Sequence, residues 1–478
     1  MNLFHKLKNY RTMPEPVKAS LWYTVCNVLQ KGMALLATPI FTRLLTKEQY
    51  GEHAVFLSWY NILMIFATFN VFQSAYDKGL LLHKQDERRF TSSMLGLCTA
   101  ITTVLLAVYL AAVPFWTELL GLSPVLMGAM FLLLYASPAL SFWAARERFA
   151  YRYKKYVAIT LATTALSLLT GVGAVLATEY KVEARVFSDV VSKSVFYLVL
   201  YGLIMAQGRT FFRKDYWKYG LLFNLPLIPH YLSTYVLNQA DRVMIDKLVG
   251  SAEAGVYSVA YTISTMIMLI ITAINNSLVP YVYKSIHAGE HGKVKGGTRS
   301  LFLLVAGLCI LSMCFAPEVI LIFAGAEYSD AIGVIPPIAA SIYFIFVYSM
   351  FSTVEYYYQK TGLIALASCA SAVLNLVLND IFIRLFGYYA AGYTTLACYI
   401  LLAALHYGFY RRVLRQELNT GAIHDLKAIA LCGVLVLGVM GAMVLTYRWW
   451  PVRYLLVAAL LTAAIIKRKA LLFSLKPQ

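Results

Sequence analysis

Fourteen apolar runs of about 20 residues follow one another along this chain, beginning near residues 17, 52, 91, 123, 156, 186, 219, 255, 299, 331, 361, 390, 427 and 452. About 20 residues is what an α-helix needs to cross roughly 30 Å of hydrocarbon. Lipid offers the backbone no hydrogen-bond partners, so a chain that crosses it this often must satisfy each segment internally, as helix. The sequence therefore predicts an all-α polytopic membrane protein of about 14 transmembrane helices. Composition agrees, since 60% of residues are hydrophobic and 13% charged, against about 45–50% and about 25% in soluble domains. The runs near 186 and 452 are the weakest. The first is too long for the apolar core of a signal peptide and stays polar along its length, so it is expected to be retained as a helix.

Orientation follows from the loops, because cytoplasmic connections keep lysine and arginine. With the N-terminus inside, 30 of the 41 basic residues fall on the inner side, from Lys6, Lys8 and Arg11 to Lys467, Arg468, Lys469 and Lys476. The outer side holds 9: Arg43, Lys47, Lys181, Arg185, Arg242, Lys247, Arg384, Arg448 and Arg453. An even number of spans with both termini cytoplasmic fits this asymmetry. The net charge of +18 is dispersed over short loops and implies no nucleic-acid partner. The seven cysteines all lie in apolar spans without a CxxC pair, which argues against disulfides and thiolate metal sites.

The longest inner connections, near 77–90, 207–218 and 284–298, are too short to fold alone. The protein must act within the membrane or at its faces. A faint internal echo divides the chain: a shift of 204 positions lays Arg43, Leu44, Gly51 and Val55 over Lys247, Leu248, Gly255 and Val259. Two six-helix halves of the kind common among transporters would then occupy 1–206 and 219–411. A cytoplasmic linker at 207–218 joins them, and helices 13–14 with a cytoplasmic tail fill 412–478.

Several motifs carry less than they suggest. HAGEH, 287–291, matches HxxEH of zinc proteases, but Gly289, Gly292, Gly296 and Gly297 are expected to break any helix there, so no metal is assigned. No GxxxxGK[ST] occurs, and no cofactor is implied. RERFAYRYKKY, 146–156, could steer an anionic headgroup or simply anchor the inner face.

Lys31 is different. A lysine at the centre of a span costs on the order of 2.5–3.5 kcal/mol to insert, so it usually faces a cavity or a partner. Ser20, Thr24, Asn27, Lys31 and Thr38 form one helical stripe, with Gln30 beside it. Span 7 carries Asn224, His230, Ser233, Thr234 and Asn238, and span 8 carries Tyr257, Tyr261, Ser264, Thr272 and Asn275. These stripes imply a wet interior, with Pro226, Pro229 and Pro280 as bends. The competing reading is a closed bundle stitched by interhelical hydrogen bonds. Asp189 and Lys193 are spaced to pair on one helix. Glu355 and Asp380 have no adjacent basic partner on their own turn and are candidates, with Asp189, for a proton or sodium site.

FTRLLTKEQYGEHAVF, 41–56, resembles the end of helix 1 in the polysaccharide transporter branch of the multidrug/oligosaccharidyl-lipid/polysaccharide exporter superfamily, which includes the Wzx-type oligosaccharide flippases. DRVMIDKLVGSAEAGVYSVAY, 241–261, is similar to the segment joining helices 7 and 8 there. FAGAEYSDAIGVIPPIAAS, 323–341, and VLNLVLNDIFIRLFGYYAAGYTTLACYI, 373–400, are similar to later signatures. The likeness spans most of the chain in the family's order.

The resemblance implies two pseudo-symmetric six-helix lobes around a central cavity that opens alternately to each side, with two extra C-terminal helices, a departure from twelve-helix relatives that is shared with lipid II flippases. It implies outward movement of an undecaprenyl-pyrophosphate-linked oligosaccharide across a bacterial cytoplasmic membrane, without enzymatic chemistry, beside membrane lipids, H+ or Na+, and other polysaccharide assembly proteins. Lys31 would then meet the pyrophosphate, with Asn27, Gln30, His230, Asn224, Tyr257 and Tyr261 as further binding residues and Arg43 and Arg242 on the exit path. RLLTKEQYG would form the outer turn after helix 1, with Gly51 permitting close approach. The alternatives are a drug or cation antiporter of the same fold, which should carry intramembrane carboxylates, and a polytopic glycan polymerase, which needs a larger outer loop than 241–254.

Overall fold

The computed structural model describes residues 13–466 except 73, 419 and 448, and no strand occurs among the described residues. Lys6, Lys8, Arg11, Arg448 and the basic C-terminal tail lie outside them. Among the described residues, ten helices are long and apolar enough to cross a membrane. The remaining expected spans are helical as well, but polar stripes, a break or a shorter length set them apart. The chain forms two compact units divided between Leu232 and Ser233.

The first unit contains α1 (Glu15–Leu44), α2 (Lys47–Thr68), α3 (Ser74–Leu82), α4 (Glu87–Ala111), α5 (Val113–Leu120), α6 (Pro124–Phe149), α7 (Tyr153–Ala177), α8 (Lys181–Gly208) and α9 (Lys214–Asn224). Helix α8 packs against α6 and α7, α1 lies along α7, and α4 touches α2, α6 and α8. Gly208 permits the close approach of α8 to α4, for a Cβ there would stand 2.3 Å from the Arg88 carbonyl oxygen. Apolar side chains such as Phe56, Met130, Phe142 and Val190 fill the interior. Helix α9, which the hydropathy pattern assigns in part to the later half, docks here: Trp217 Nε1 donates to Ser93 O at 2.9 Å and Tyr219 OH to Ala75 O at 3.1 Å.

The turn between α1 and α2 explains the phrase RLLTKEQYG. Thr46 caps α2, its hydroxyl accepting from Gln49 N at 3.2 Å while the Gln49 side chain accepts from Thr46 N at 3.1 Å. This reciprocal pair satisfies two of the backbone donors that a helix start leaves unpaired. Gly51 is buried in the next turn.

Span 7 is not one helix. Pro226 sits in a 3-10 turn, Leu225–Leu227, and α10 (Ile228–Leu248) begins beyond it, since proline removes a donor and crowds the preceding turn. Gly250 then adopts φ 151°, a conformation that favours glycine, before α11 (Ser251–Ser264) and α12 (Ile267–His287). Both junctions of the internal echo thus place a basic residue at one helix end and a buried glycine in the next helix.

The rest of the second unit comprises α13 (His291–Cys314), α14 (Ala316–Phe323), α15 (Ile335–Tyr357), α16 (Thr361–Phe386), α17 (Tyr389–Val413), α18 (Leu426–Thr446) and α19 (Trp450–Ile466). Gly289, at φ 72°, breaks the chain between α12 and α13 as expected, so His287 and His291 lie on different helices, but α13 runs straight through Gly292, Gly296 and Gly297. Each interior glycine costs only about 1 kcal/mol, and packing against α12 and α15 outweighs it. Helices α18 and α19 are fastened to this unit: Tyr343 OH donates to Ile429 O at 2.7 Å, and Tyr447 OH to Met313 O at 2.9 Å. Arg453 meets Cys314 O at 2.9 Å and Glu318 at 2.8 Å.

Candidate functional site

In the first unit, α1 buries Ala19 and Cys26 on one face and exposes Ser20, Thr24, Asn27 and Lys31 on another. Asn27, Gln30 and Lys31 make no side-chain hydrogen bond or ion pair among the described residues. A cation in the middle of the 30-residue α1, with no carboxylate partner among the described residues, calls for water or an anion and not acyl chains. Arg43 is exposed at the end of α1, its Nη1 donating to Pro39 O at 2.6 Å. Asn224 is buried; its Nδ2 donates to Gly220 O at 2.9 Å, and its Oδ1 has no hydrogen-bond partner among the described residues. His230 is half-buried in the first turn of α10.

Asp189 is held by Lys193 Nζ at 2.7 Å and by the Ser167 hydroxyl. The Arg185 guanidinium lies over the Phe41 ring, 4.2 Å from its centroid. The expected pairing along α8 is present, and it occupies the carboxylate.

In the second unit four helices converge on Asp241. The carboxylate is fully buried on α10; its Oδ2 accepts from Tyr257 OH on α11 at 2.6 Å and from Thr395 Oγ1 on α17 at 2.8 Å. Its Oδ1 accepts from Asn379 Nδ2 on α16 at 2.6 Å. Asn379 also donates to Asn375 Oδ1 at 3.2 Å and accepts from the Thr394 hydroxyl. Among the described residues no lysine or arginine forms an ion pair with Asp241. Its neighbour Arg242 turns away, Nη1 donating to Asn238 O and Gln239 Oε1 at 2.8 Å each, with its guanidinium 4.3 Å from the Tyr261 centroid. Tyr261 OH donates to Asn238 Oδ1 at 2.9 Å.

The three neutral donors that point at this lone buried carboxylate offset part of the cost of its burial. The same amides and hydroxyls carry oxygens, so the cluster can exchange those donors for a proton or a small monovalent cation. No group of three or more His, Cys, Asp or Glu suited to a metal occurs among the described residues.

A second buried ionisable pair joins Glu355 on α15 to His406 on α17, Nδ1 lying 2.9 and 3.0 Å from the two carboxylate oxygens. The Tyr348 ring stacks on His406 with centroids 5.5 Å apart. Glu355 thus has a partner on a neighbouring helix. Asp380, expected to have no basic partner, is paired along its own helix: Arg384, one turn on, bonds it at 2.9 Å, and both side chains are more than half exposed. Asn379, one residue earlier, faces the interior instead.

Asp241 escaped the sequence reading because it stands beside Arg242 at the end of a span, where the two look like an ordinary interfacial pair. The legible signal was Asn375 with Asn379, four apart and therefore on one helical face, in the same apolar span.

The sequence profile described as polysaccharide biosynthesis protein matches residues 17–286, more than half of the chain, and the MatE profile matches 226–381. The chain belongs to the polysaccharide biosynthesis protein family, within the multidrug/oligosaccharidyl-lipid/polysaccharide exporter superfamily. It is 26% identical over 205 residues to the Haemophilus influenzae "Lsg locus putative protein 1", covering 40% of this chain and 50% of that one; it spans about half the length of the curated relatives it matches. Its fold is similar to that of lipid II flippase MurJ in an inward closed conformation, with TM-score 0.67, 14% identity, and coverage of 94% of this chain and 99% of that one. An inward-facing multidrug resistance MATE family transporter gives TM-score 0.65 at 14% identity, covering 82% and 96%.

Proposed function

We propose that this protein is a flippase that carries a polyprenyl-pyrophosphate-linked oligosaccharide from the inner to the outer leaflet of a bacterial cytoplasmic membrane. Membership of the family supports the class, and the lone Lys31 on the polar face of α1 carries the substrate assignment. A fixed cation of this kind pairs with a phosphoryl anion and repels the cationic drugs an antiporter would take. Asn27 and Gln30, also without partners among the described residues, supply neutral hydrogen bonds beside it. Binding and reorientation account for the task, with no bond made or broken.

The Asp241 cluster favours a coupled version of the same reading. A proton or sodium ion taken up at Asp241 would replace donors from α11, α16 and α17 and so change how those helices are tied to α10. This links ion occupancy to the conformation of the second unit. A drug antiporter built on this cluster would show cation-driven efflux of organic cations by the purified protein.

The deciding experiment is depletion of the protein in its host followed by identification of the lipid-linked intermediate that accumulates on the inner leaflet. Accumulation of a pyrophosphate-linked oligosaccharide is expected. Unchanged levels of every such intermediate would overturn the assignment.

A further inference from the structure

The end of α17 carries a second cationic feature, remote in sequence from Lys31 and unused by the transport reading. Tyr407, Gly408, Arg411, Arg412, Arg415 and Gln416 line an open groove of about 490 Å³. Tyr407, Gly408, Arg412 and Arg415 are exposed and Arg411 is half-buried. Their spacing, at intervals of one, three and four residues, keeps them on one side of the helix, and the π-turn Leu414–Leu418 prolongs that side past the end of α17.

The three guanidiniums have no carboxylate partner among the described residues. The acidic residue nearest in sequence, Glu417, is already engaged by Lys360 at 2.9 Å. Tyr407 OH accepts from Arg411 Nη1 at 3.4 Å, which steadies one fork. At Gly408 the structure leaves open space, with nothing within 4 Å of where a Cβ would stand, so a larger side chain there would enter the groove. Simple anchoring of a loop requires basic charge but neither a recess nor unpaired forks.

Arginine forks match phosphoryl oxygens in geometry as well as charge. Depth fits too: α17 has 25 residues, about 37 Å at 1.5 Å per residue, so its end reaches past a hydrocarbon core of about 30 Å to the level of headgroups. We propose that this groove binds the phosphoryl headgroup of an anionic membrane lipid, at a site separate from the transported cargo. The occupant stabilises the end of α17 and the adjoining turn.

The test uses the full chain, purified in detergent and titrated with phosphatidylglycerol, with phosphatidylcholine, and separately with inorganic pyrophosphate. Bound lipid is counted by native mass spectrometry. Phosphatidylglycerol should be retained at least tenfold more tightly than phosphatidylcholine. The Arg411→Gln, Arg412→Gln, Arg415→Gln triple variant should lose that preference, each surface arginine contributing about fivefold. Gly408→Leu keeps every charge and fills the recess, so it should weaken retention while leaving net charge unchanged. Equal retention of both lipids, undiminished preference in the triple variant, or wild-type retention by Gly408→Leu would each overturn the site. Binding of inorganic pyrophosphate as tight as that of lipid would show a soluble anion site instead and overturn the lipid assignment.

Discussion

Asp241 and Asn379 lie 138 positions apart in sequence and are joined by a 2.6 Å hydrogen bond between fully buried side chains. The bond ties α10 to α16 around a carboxylate with no cationic partner. Burying such a charge is costly unless donors surround it, so the cluster is stable only when its donors, or an added cation, are in place. Asp241→Asn removes the exchangeable charge and keeps the shape. We expect that variant to fold and to lose dependence of transport on a proton or sodium gradient, with rates falling at least tenfold under a gradient. Transport in reconstituted vesicles with and without the gradient measures this; unchanged gradient dependence would remove Asp241 from coupling.

Lys31 is exposed on the polar face of α1 and has no partner among the described residues. Its neutralisation removes an insertion cost and breaks nothing in the fold, so Lys31→Ala should insert as well as the parent or better. Its transport should be abolished, and Lys31→Arg should recover part of it. Vesicle flipping together with membrane abundance separates the two effects, and full activity in Lys31→Ala would exclude a phosphoryl contact there.

Hydropathy and the 3.6-residue period made the helices legible because lipid leaves the backbone few alternatives. Local detail was less so. The proline at 226 signalled a bend, whereas Gly292, Gly296 and Gly297 signalled a break that packing overrides. At the site, Lys31 stood out because it is a lone charge in an apolar run. Asp241 did not, because its burial depends on Asn379 and Thr395, over a hundred residues away. Asp380 looked promising by type and lies one residue off the buried face, a rotation of about 100°. Which charges are paired is a tertiary property, as Glu355 and His406 illustrate from separate helices.

The Thr46–Gln49 capping box gives the phrase RLLTKEQYG a structural meaning. Thr46→Ala should cost about 1 kcal/mol, within a range of roughly 0.5–2, and leave transport per folded molecule unchanged. Thermal unfolding in detergent reads the first quantity and vesicle flipping the second. A selective loss of flipping at normal stability would instead assign the turn a direct role.

The segment before α18 contains a histidine whose titration should set acid sensitivity. Tyr410 OH accepts from Ile423 N at 2.8 Å and from His424 N at 3.2 Å. Burial pushes the His424 ring down from 6.5 to about 4. Between those values the unfolded chain binds the proton and the folded one does not, so stability is fully present above about pH 6.5 and falls as pH drops toward 4. The full loss is on the order of 3 kcal/mol. His424→Gln should flatten this part of the pH profile of thermal unfolding; an identical acid loss in the variant would place the sensitivity elsewhere.

A pyrophosphate with about two negative charges that moves outward travels down an inside-negative potential, and about 2.3 kcal/mol per charge per 100 mV gives roughly 4–5 kcal/mol at 100 mV. That is enough to bias distribution between leaflets more than a thousandfold, by about 1.4 kcal/mol per factor of ten. With Lys31 fixed in α1 while the substrate moves past it, the net charge moved is the substrate's own and the potential acts on it directly. In vesicles without ion gradients, an imposed inside-negative potential should therefore accelerate outward flipping, and the reversed potential should slow it. A cation taken up at Asp241 adds its own charge to the cycle, so a sodium or pH gradient applied at zero potential should still drive flipping in the parent and fail in Asp241→Asn. Indifference to potential with strict dependence on one cation would move the driving force wholly to the Asp241 cluster.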